Sequence, residues 1–272
     1  MGIAGFVAAL GAVAAFLSAA MAGAWLVWRK TGNAGWVDTT WTFAVGTAGA
    51  GGAVVALLAG VPAARPVVVI GLATAWAFRL GLHIARRSGG VSDDPRYARL
   101  AEGWGTDAPR QMFLLLQKQA IVSIPLALAM VLAAWNRAPF GVDDVVAILI
   151  LVVAVAGEGL ADRQLRAFRA TPGNPGRVCD VGLWSWSRHP NYFFEWLGWL
   201  AYPLFAIDLA GGHPFGWAAL AAPVGMYWLL VHVSGIPPLE AHMIEKYGAA
   251  YRAYQERVSA FFPMSQSRGT AS

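Results

Sequence analysis

The chain has 272 residues, 57% of them apolar and only 13% charged, with a mean hydropathy of +0.52. That balance excludes a soluble globular domain of this size. Twenty Lys and Arg against fifteen Asp and Glu leave a net charge of +5 and a pI near 9.7, while the single cysteine, Cys179, excludes an internal disulfide and any cysteine-based metal site.

Seven apolar stretches fall at roughly 3–28, 36–60, 66–85, 114–135, 142–160, 192–210 and 215–235. Each is near the length that crosses ~30 Å of hydrocarbon as a helix. The predicted fold is therefore all-α: a polytopic integral membrane protein of about seven transmembrane helices. Thirteen tryptophans suit aromatic belts at both interfaces. The first stretch is too long for a signal peptide, lacks a basic leader, and is followed by Arg29-Lys30, so it reads as a transmembrane helix.

The second stretch carries Asp38, Thr39 and Thr40 beside Trp41; Asp38 either caps the helix at the interface or holds a substrate. The third places Arg79, His83, Arg86 and Arg87 at helical spacing. A lone His in such a helix more often satisfies a backbone carbonyl than does chemistry. If the fifth stretch continues beyond the membrane as helix, Glu158, Asp162, Arg166 and Arg169 share one face. Acid-then-base order four residues apart stabilises a helix by itself, by about 0.2–0.5 kcal/mol per pair. Yet Arg163, Arg166 and Arg169 outnumber the local acids and leave guanidinium forks for phosphate. Pro and Gly in Thr171–Arg177 then break the helix.

The densest polar cluster is Ser187-Arg188-His189-Pro190-Asn191-Tyr192-Phe193-Phe194-Glu195-Trp196, set directly against an apolar run. Asn191 and Glu195 lie one helical turn apart behind Pro190, whose missing N–H is harmless at a helix start. Exposed N–H groups there favour an anion. Glu195, at or inside the membrane boundary, is a functional candidate by default, or else the ion-pair partner of Arg166 or Arg188. Farther on, Glu240, His242, Glu245, Tyr247, Tyr251 and Tyr254 suggest an amphipathic helix with its tyrosines on one face, lying on the membrane or over a site.

Seventeen of the twenty basic residues fall on one side if the N-terminus lies outside; Arg65 and Arg137 fall on the other, and Arg79 within the third stretch. The positive-inside rule then places the C-terminus in the cytoplasm and makes the expected location an inner (plasma) membrane, with the site opening to the cytoplasm. Basic cytoplasmic loops are ordinary in membrane proteins and account for part of this excess. Residues 1–263 read as one membrane-embedded domain and 264–272 as a disordered tail.

The run Ala161-Asp162-Arg163-Gln164-Leu165, with Phe168-Arg169, is followed by Gly182-Leu183-Trp184-Ser185-Trp186-Ser187-Arg188-His189-Pro190-Asn191-Tyr192-Phe193 and Glu195-Trp196. Ser234-Gly235-Ile236-Pro237, Leu239-Glu240, Tyr251, Tyr254 and Phe262-Pro263 complete the set. Together they resemble the bacterial, largely uncharacterised branch of the steroid 5-alpha-reductase superfamily, related to the isoprenylcysteine carboxyl methyltransferases. The resemblance implies a seven-helix fold and an NADPH-dependent oxidoreductase that reduces an activated C=C bond in a steroid-like or other lipophilic substrate. Asp162, Arg166 and Arg169 match the family residues that hold the cofactor's phosphates and ribose; Arg177, Asn191 and Glu195 match further cofactor residues. Arg188, His189, Tyr192, Glu240 and Tyr251 complete the expected cofactor-binding set. The expected partners are the lipophilic substrate and membrane lipid, with neither nucleic acid nor a metal.

Two departures stand out. The family polarises the substrate ketone with a Glu of its second helix and a Tyr of its third, where this chain has Thr39 and Ile84. His83 and Asp38 are the expected substitutes, hence the expected catalytic pair. Phe194 stands where relatives commonly have Gly, and a phenyl ring there is expected to narrow the ligand's space. The rival function is an S-adenosylmethionine-dependent membrane methyltransferase, which would use Arg188 to Tyr192 and Glu240 for the methyl donor and has little need for the helix-five arginines. A transporter would want polar residues at midplane, and the spans are almost wholly apolar.

Overall fold

The computed structural model describes residues 1–88 and 95–265; the side chains of Arg87, Ser88, Pro95 and Arg96 lie outside the description, as does most of the expected tail, 266–272. Every regular element among the described residues is helical. The long helices are α1 (Ile3–Thr31), α2 (Gly35–Leu58), α3 (Ala64–Ser88), α5 (Ala108–Trp135) and α6 (Val142–Ala170), with a short α4 (Pro95–Trp104) between α3 and α5. Then follow α7 (Pro190–Trp199), α8 (Ala201–Ala206), α9 (Ala221–Trp228), α10 (Ile236–Tyr247) and α11 (Ala249–Arg257). Six helical stretches of the described chain are long and apolar enough to cross a membrane, the last running Pro214–Tyr247. The protein is a multi-pass membrane protein.

The expected 192–210 helix is not among those six. It is broken into α7 and α8, because Pro203 has no N–H for the Trp199 carbonyl and its ring crowds that position. The expected single tyrosine-bearing helix also divides. Gly248 adopts φ 56° and ψ −126° between α10 and α11, a conformation open to glycine and hostile to a side chain. By contrast, α6 continues past the apolar stretch to Ala170, as its polar face required. It ends where Asn174 donates from its side-chain amide to the Phe168 carbonyl, with Gly173 and Gly176 at positive φ.

The chain divides into two compact units: Met1–Asp144 with Tyr202–Ala221, and Val145–Ala201 with the chain from Ala222. The first is built on α1, α2, α3 and α5, packed closely enough that α2 presents bare glycines to its neighbours. Gly46 lies against Ala77 of α3, and Gly49 and Gly52 lie against Met130 and Val131 of α5, where a Cβ would collide with the facing side chain. Small residues every third position let helix backbones approach in a setting where burial from water gives helices little reason to associate.

One buried ion pair fastens an edge of this unit. Arg65, at the start of α3, gives Nε to Asp144 Oδ1 at 2.6 Å and Nη2 to Oδ2 at 2.7 Å. It also donates to the carbonyls of Asn136, Ala138 and Pro139. Asp144, in the first turn of α6, accepts the Gly141 N–H as well. Both side chains are almost fully buried, so removing one partner strands the other as a buried charge. Asp144→Ala is expected to lower stability by about 3–5 kcal/mol, measured as loss of folded, monodisperse protein in a detergent melting series; a melting curve like the wild type's would show the pair to be dispensable.

Candidate functional site

The second unit holds the motif cluster, and its geometry starts from α6. Ala161 accepts the Trp184 indole N–H through its carbonyl at 2.9 Å, and Gln164 accepts the Leu183 N–H through Oε1 at 2.8 Å. These bonds lay the segment Gly182–Ser185 against one side of α6. The Phe194 ring rests on the same side at Gly157, in a notch that any Cβ at 157 would fill. The Phe194 phenyl ring is accommodated by a glycine opposite it on α6.

Roughly 100° around α6, by helix geometry, stand Glu158, Asp162, Arg166 and Arg169. Glu158 is buried, Asp162 half-buried, and Arg166 and Arg169 exposed. Among the described residues neither of these two arginines forms an ion pair, although the face also carries two acids. Arg177, exposed in the loop beyond, donates its backbone N–H to the Asn174 carbonyl at 2.9 Å, and its guanidinium reaches Asn174 Oδ1 at 3.5 Å.

Arg188 is placed very differently. Its Nε and Nη2 reach the two oxygens of Glu240 on α10 at 2.7 and 3.2 Å, and Nη1 donates to the carbonyls of Gln255 and Val258. Its own N–H donates to the Ser259 carbonyl at 2.8 Å. Glu240 also takes His189 Nε2 at 2.9 Å, Gln255 Nε2 at 2.6 Å and the Tyr251 hydroxyl at 3.4 Å. A carboxylate partner requires the Nε2–H tautomer of His189. Around this hub Ser187 donates to the Phe261 carbonyl, Met264 N–H to the Trp186 carbonyl, and Tyr254 hydroxyl to the Trp184 carbonyl. Tyr251, Tyr254 and Val258 form a small core with Val178, Met243, Ile244 and Tyr247. Sequence reading had grouped Arg188, His189, Glu240 and Tyr251 as ligand residues; the structure brings them together on one another, and Gln255, which completes the hub, was missed.

The hub delivers the start of α7. Pro190 opens the helix, Asn191 and Glu195 are half-buried one turn apart, and Tyr192 stacks on the His189 ring at 5.5 Å. Glu195 accepts the Trp199 indole N–H at 3.0 Å, while the Arg188 fork expected as its partner goes to Glu240. Cys179 is buried, and burial pushes its thiol up, away from nucleophilic thiolate chemistry.

In the first unit Asp38 lies in the first turn of α2 but does not cap it. Ala34 is the capping residue, and Asn33 Oδ1 takes the Gly35 N–H. Asp38 Oδ1 instead accepts the hydroxyl of Tyr97 on α4 at 3.0 Å, and Tyr97 accepts Gln119 Nε2 of α5 at 2.9 Å. His83 is exposed on α3. Tyr97 and Gln119 were absent from the sequence reading. The signal for Tyr97 was present: Tyr97, Leu100, Ala101 and Trp104 recur at the spacing of an apolar helical face.

This is an all-helical membrane protein whose polar side chains gather into a few well-connected clusters. The chain belongs to the family described as "protein of unknown function (DUF1295)", whose model matches residues 24–258, and that family is related to the steroid 5-alpha-reductase superfamily. It is 30% identical over 236 residues to an uncharacterised protein of the fission yeast Schizosaccharomyces pombe, an alignment covering 73% of this chain and 63% of that protein. The chain thus spans less than two thirds of that relative's length. No solved structure matches it.

Burial holds the His189 imidazole below its ordinary value of 6.5, against the opposing pull of Glu240 and with a smaller push from Arg188 in the same direction. The folded chain therefore keeps this ring neutral at a pH where the unfolded chain already binds a proton. Stability is whole above pH 6.5 and falls as pH drops below it towards the folded value. Wild-type protein is expected to lose melting temperature on going from neutral to mildly acid buffer, and His189→Gln to lose less; parallel curves for the two would contradict the assignment.

Proposed function

We propose that the protein is an NADPH-dependent reductase of an activated C=C bond, an enone, in a steroid-like or other lipophilic substrate. It would act from a bacterial inner membrane with N-terminus outside, C-terminus cytoplasmic, and the cofactor entering from the cytoplasm. The observation that carries this reading is the contrast between two sets of arginines. Arg188 is held by Glu240 and two backbone carbonyls, whereas Arg166 and Arg169 are exposed on one helix face without a carboxylate partner among the described residues. Forks left open on one face suit the phosphates of a dinucleotide, and the residues present fit such a group.

NADPH would supply the hydride added at the enone's β carbon, the α carbon taking a proton. Arg166 and Arg169 would hold phosphate, with Arg177 beyond them and Asp162 on a ribose hydroxyl. Asn191, Tyr192 and Glu195 would line the ribose or nicotinamide end. Arg188, His189, Glu240 and Tyr251 would set the position of that helix start. In the first unit, Asp38 and His83 would polarise the enone oxygen. Tyr97 supports this role, because it supplies from α4 the phenol partner to a carboxyl group that Ile84 of α3 does not. On substrate binding the phenolic O–H would turn from Asp38 Oδ1 to the oxygen where negative charge develops.

The methyltransferase reading asks Arg188, His189 and Glu240 to hold a methyl donor, and these three are already bonded to one another. It also leaves the α6 arginines without a task.

Arg166→Ala and Arg169→Ala are each expected to weaken NADPH binding by about 1.5–3 kcal/mol, the range for a hydrogen bond to a charged group, with melting unchanged. Titration of cofactor into purified protein measures it, and unchanged affinity in both variants would sink the assignment. Tyr97→Phe is expected to cut turnover of an accepted enone by about 10²–10³ while NADPH still binds. A rate within a few-fold of wild type would remove the phenol from the chemistry.

A further inference from the structure

The network around Tyr97 leaves one acceptor, Gln119 Oε1, unmet among the described residues. Tyr97 is buried at 5% exposure and has one hydroxyl proton. The Asp38 carboxylate can only accept, so the proton points to it and the phenol's lone pair faces Gln119. Gln119 must then present its NH₂ to Tyr97, which fixes the amide orientation and turns Oε1 elsewhere. That oxygen is buried and has no partner among the described residues. One helix away, Thr39 is 7% exposed, and its Oγ1 is likewise buried without a partner. Neighbouring hydroxyls show that the bundle can satisfy such groups locally. Thr42 donates to the Asp38 carbonyl at 2.8 Å, and Ser123 donates to the Gln119 carbonyl at 2.6 Å while taking the Trp41 indole N–H. Gln119 Oε1 is left open in a setting where an unmet amide oxygen is costly.

An orphaned acceptor calls for a donor, and the carbonyl of an enone has none to give. We propose that Gln119 is a specificity residue for a hydroxyl or N–H group on the substrate, so that the ligand class is a lipophile carrying a hydrogen-bond donor besides any carbonyl. The donor bonds to Gln119 Oε1, while Gln119 Nε2 keeps its bond to the Tyr97 phenol oxygen. This rests on the reading that the first unit takes the lipophilic substrate, and it adds a polar handle which that reading does not require. A site built to satisfy a ligand hydroxyl rejects the analogue lacking it, since rejection leaves the protein's own acceptor unpaired.

The test uses full-length protein in nanodiscs and alcohol–ketone pairs sharing one skeleton: menthol with menthone, borneol with camphor, cholestanol with cholestanone. Binding is followed by tryptophan fluorescence, Trp41 being part of the same network. Wild type is expected to bind the alcohol of at least one pair about tenfold more tightly than its ketone, roughly what one neutral hydrogen bond supplies. Gln119→Leu should erase the preference, and Gln119→Glu, which keeps an acceptor, should retain it. Equal binding within every pair, binding of none, or a preference that survives Gln119→Leu would overturn the proposal and leave a buried water only as the partner of Oε1. NADPH oxidation with an enone, run on the same wild-type samples, separates the two readings. Its absence beside an intact alcohol preference refutes the reductase and spares the recognition site; turnover without the preference does the reverse.

Discussion

The carboxylate of Glu240 is the point on which the second unit depends. Arg188, His189, Gln255 and Tyr251 all reach it, from the loop before α7 and from α11. Glu240 itself sits on α10, so one side chain joins the next helix, α11, to a loop 52 residues earlier in the chain. A nearly buried guanidinium without its counterion would be worse than none, because its desolvation would go unanswered. Once Glu240 is present, the same guanidinium can also hold the carbonyls of Gln255 and Val258, and with them the chain that carries Phe261 against Phe193 and Trp196. Among the described residues, the start of α7 is thereby fixed without a bond from the Asn191 side chain. The hub sorts the arginines: those it consumes build the site, and those outside it remain able to meet an anion.

The first unit makes the same distinction within a drier setting. Arg65 is met by both oxygens of Asp144 and by three carbonyls, so nothing about it invites a ligand. Thr39 is buried and Gln119 half-buried, and each has a buried atom that is unmet among the described residues. In a helix bundle where small residues bring backbones together, as at Gly46, Gly49 and Gly52, a stray polar atom is easily replaced by a carbon. Polar residues kept in such a place are informative in proportion to what they lack.

Much of the fold was legible because length and hydropathy act locally. The long apolar helices and the extension of α6 through Arg169 follow from spacing alone. What escaped was set by single residues or by distance. Pro203 splits an apolar run that composition cannot distinguish from a spanning helix, and Gly248 splits a run whose tyrosines look continuous. The site divides in the same way. The charges of α6 share a helix, so their common face could be read. Arg188 and Glu240 lie 52 residues apart, and no local pattern says that they meet. Tyr97 fell in a stretch treated as a connection, although its apolar spacing marked a short helix, and without that helix the partner of Asp38 could not be named.

Phe194 shows how a bulky ring within a motif can be absorbed without disturbing its geometry. Judged along the chain, a phenyl ring at this position is expected to narrow a ligand's space. Judged across the helix pair, the ring lies on Gly157 of α6, where a methyl group would already collide with it. The glycine facing Phe194 supplies on one helix the space its neighbour has filled on the other, and close packing demands such an exchange. Glu195, the next residue, is turned about 100° from Phe194 by helix geometry and accepts the Trp199 indole N–H instead of crowding the same notch. The ring is therefore absorbed on the packing side of α7, while Asn191 and Glu195 stay one turn apart on the side that the cofactor reading uses.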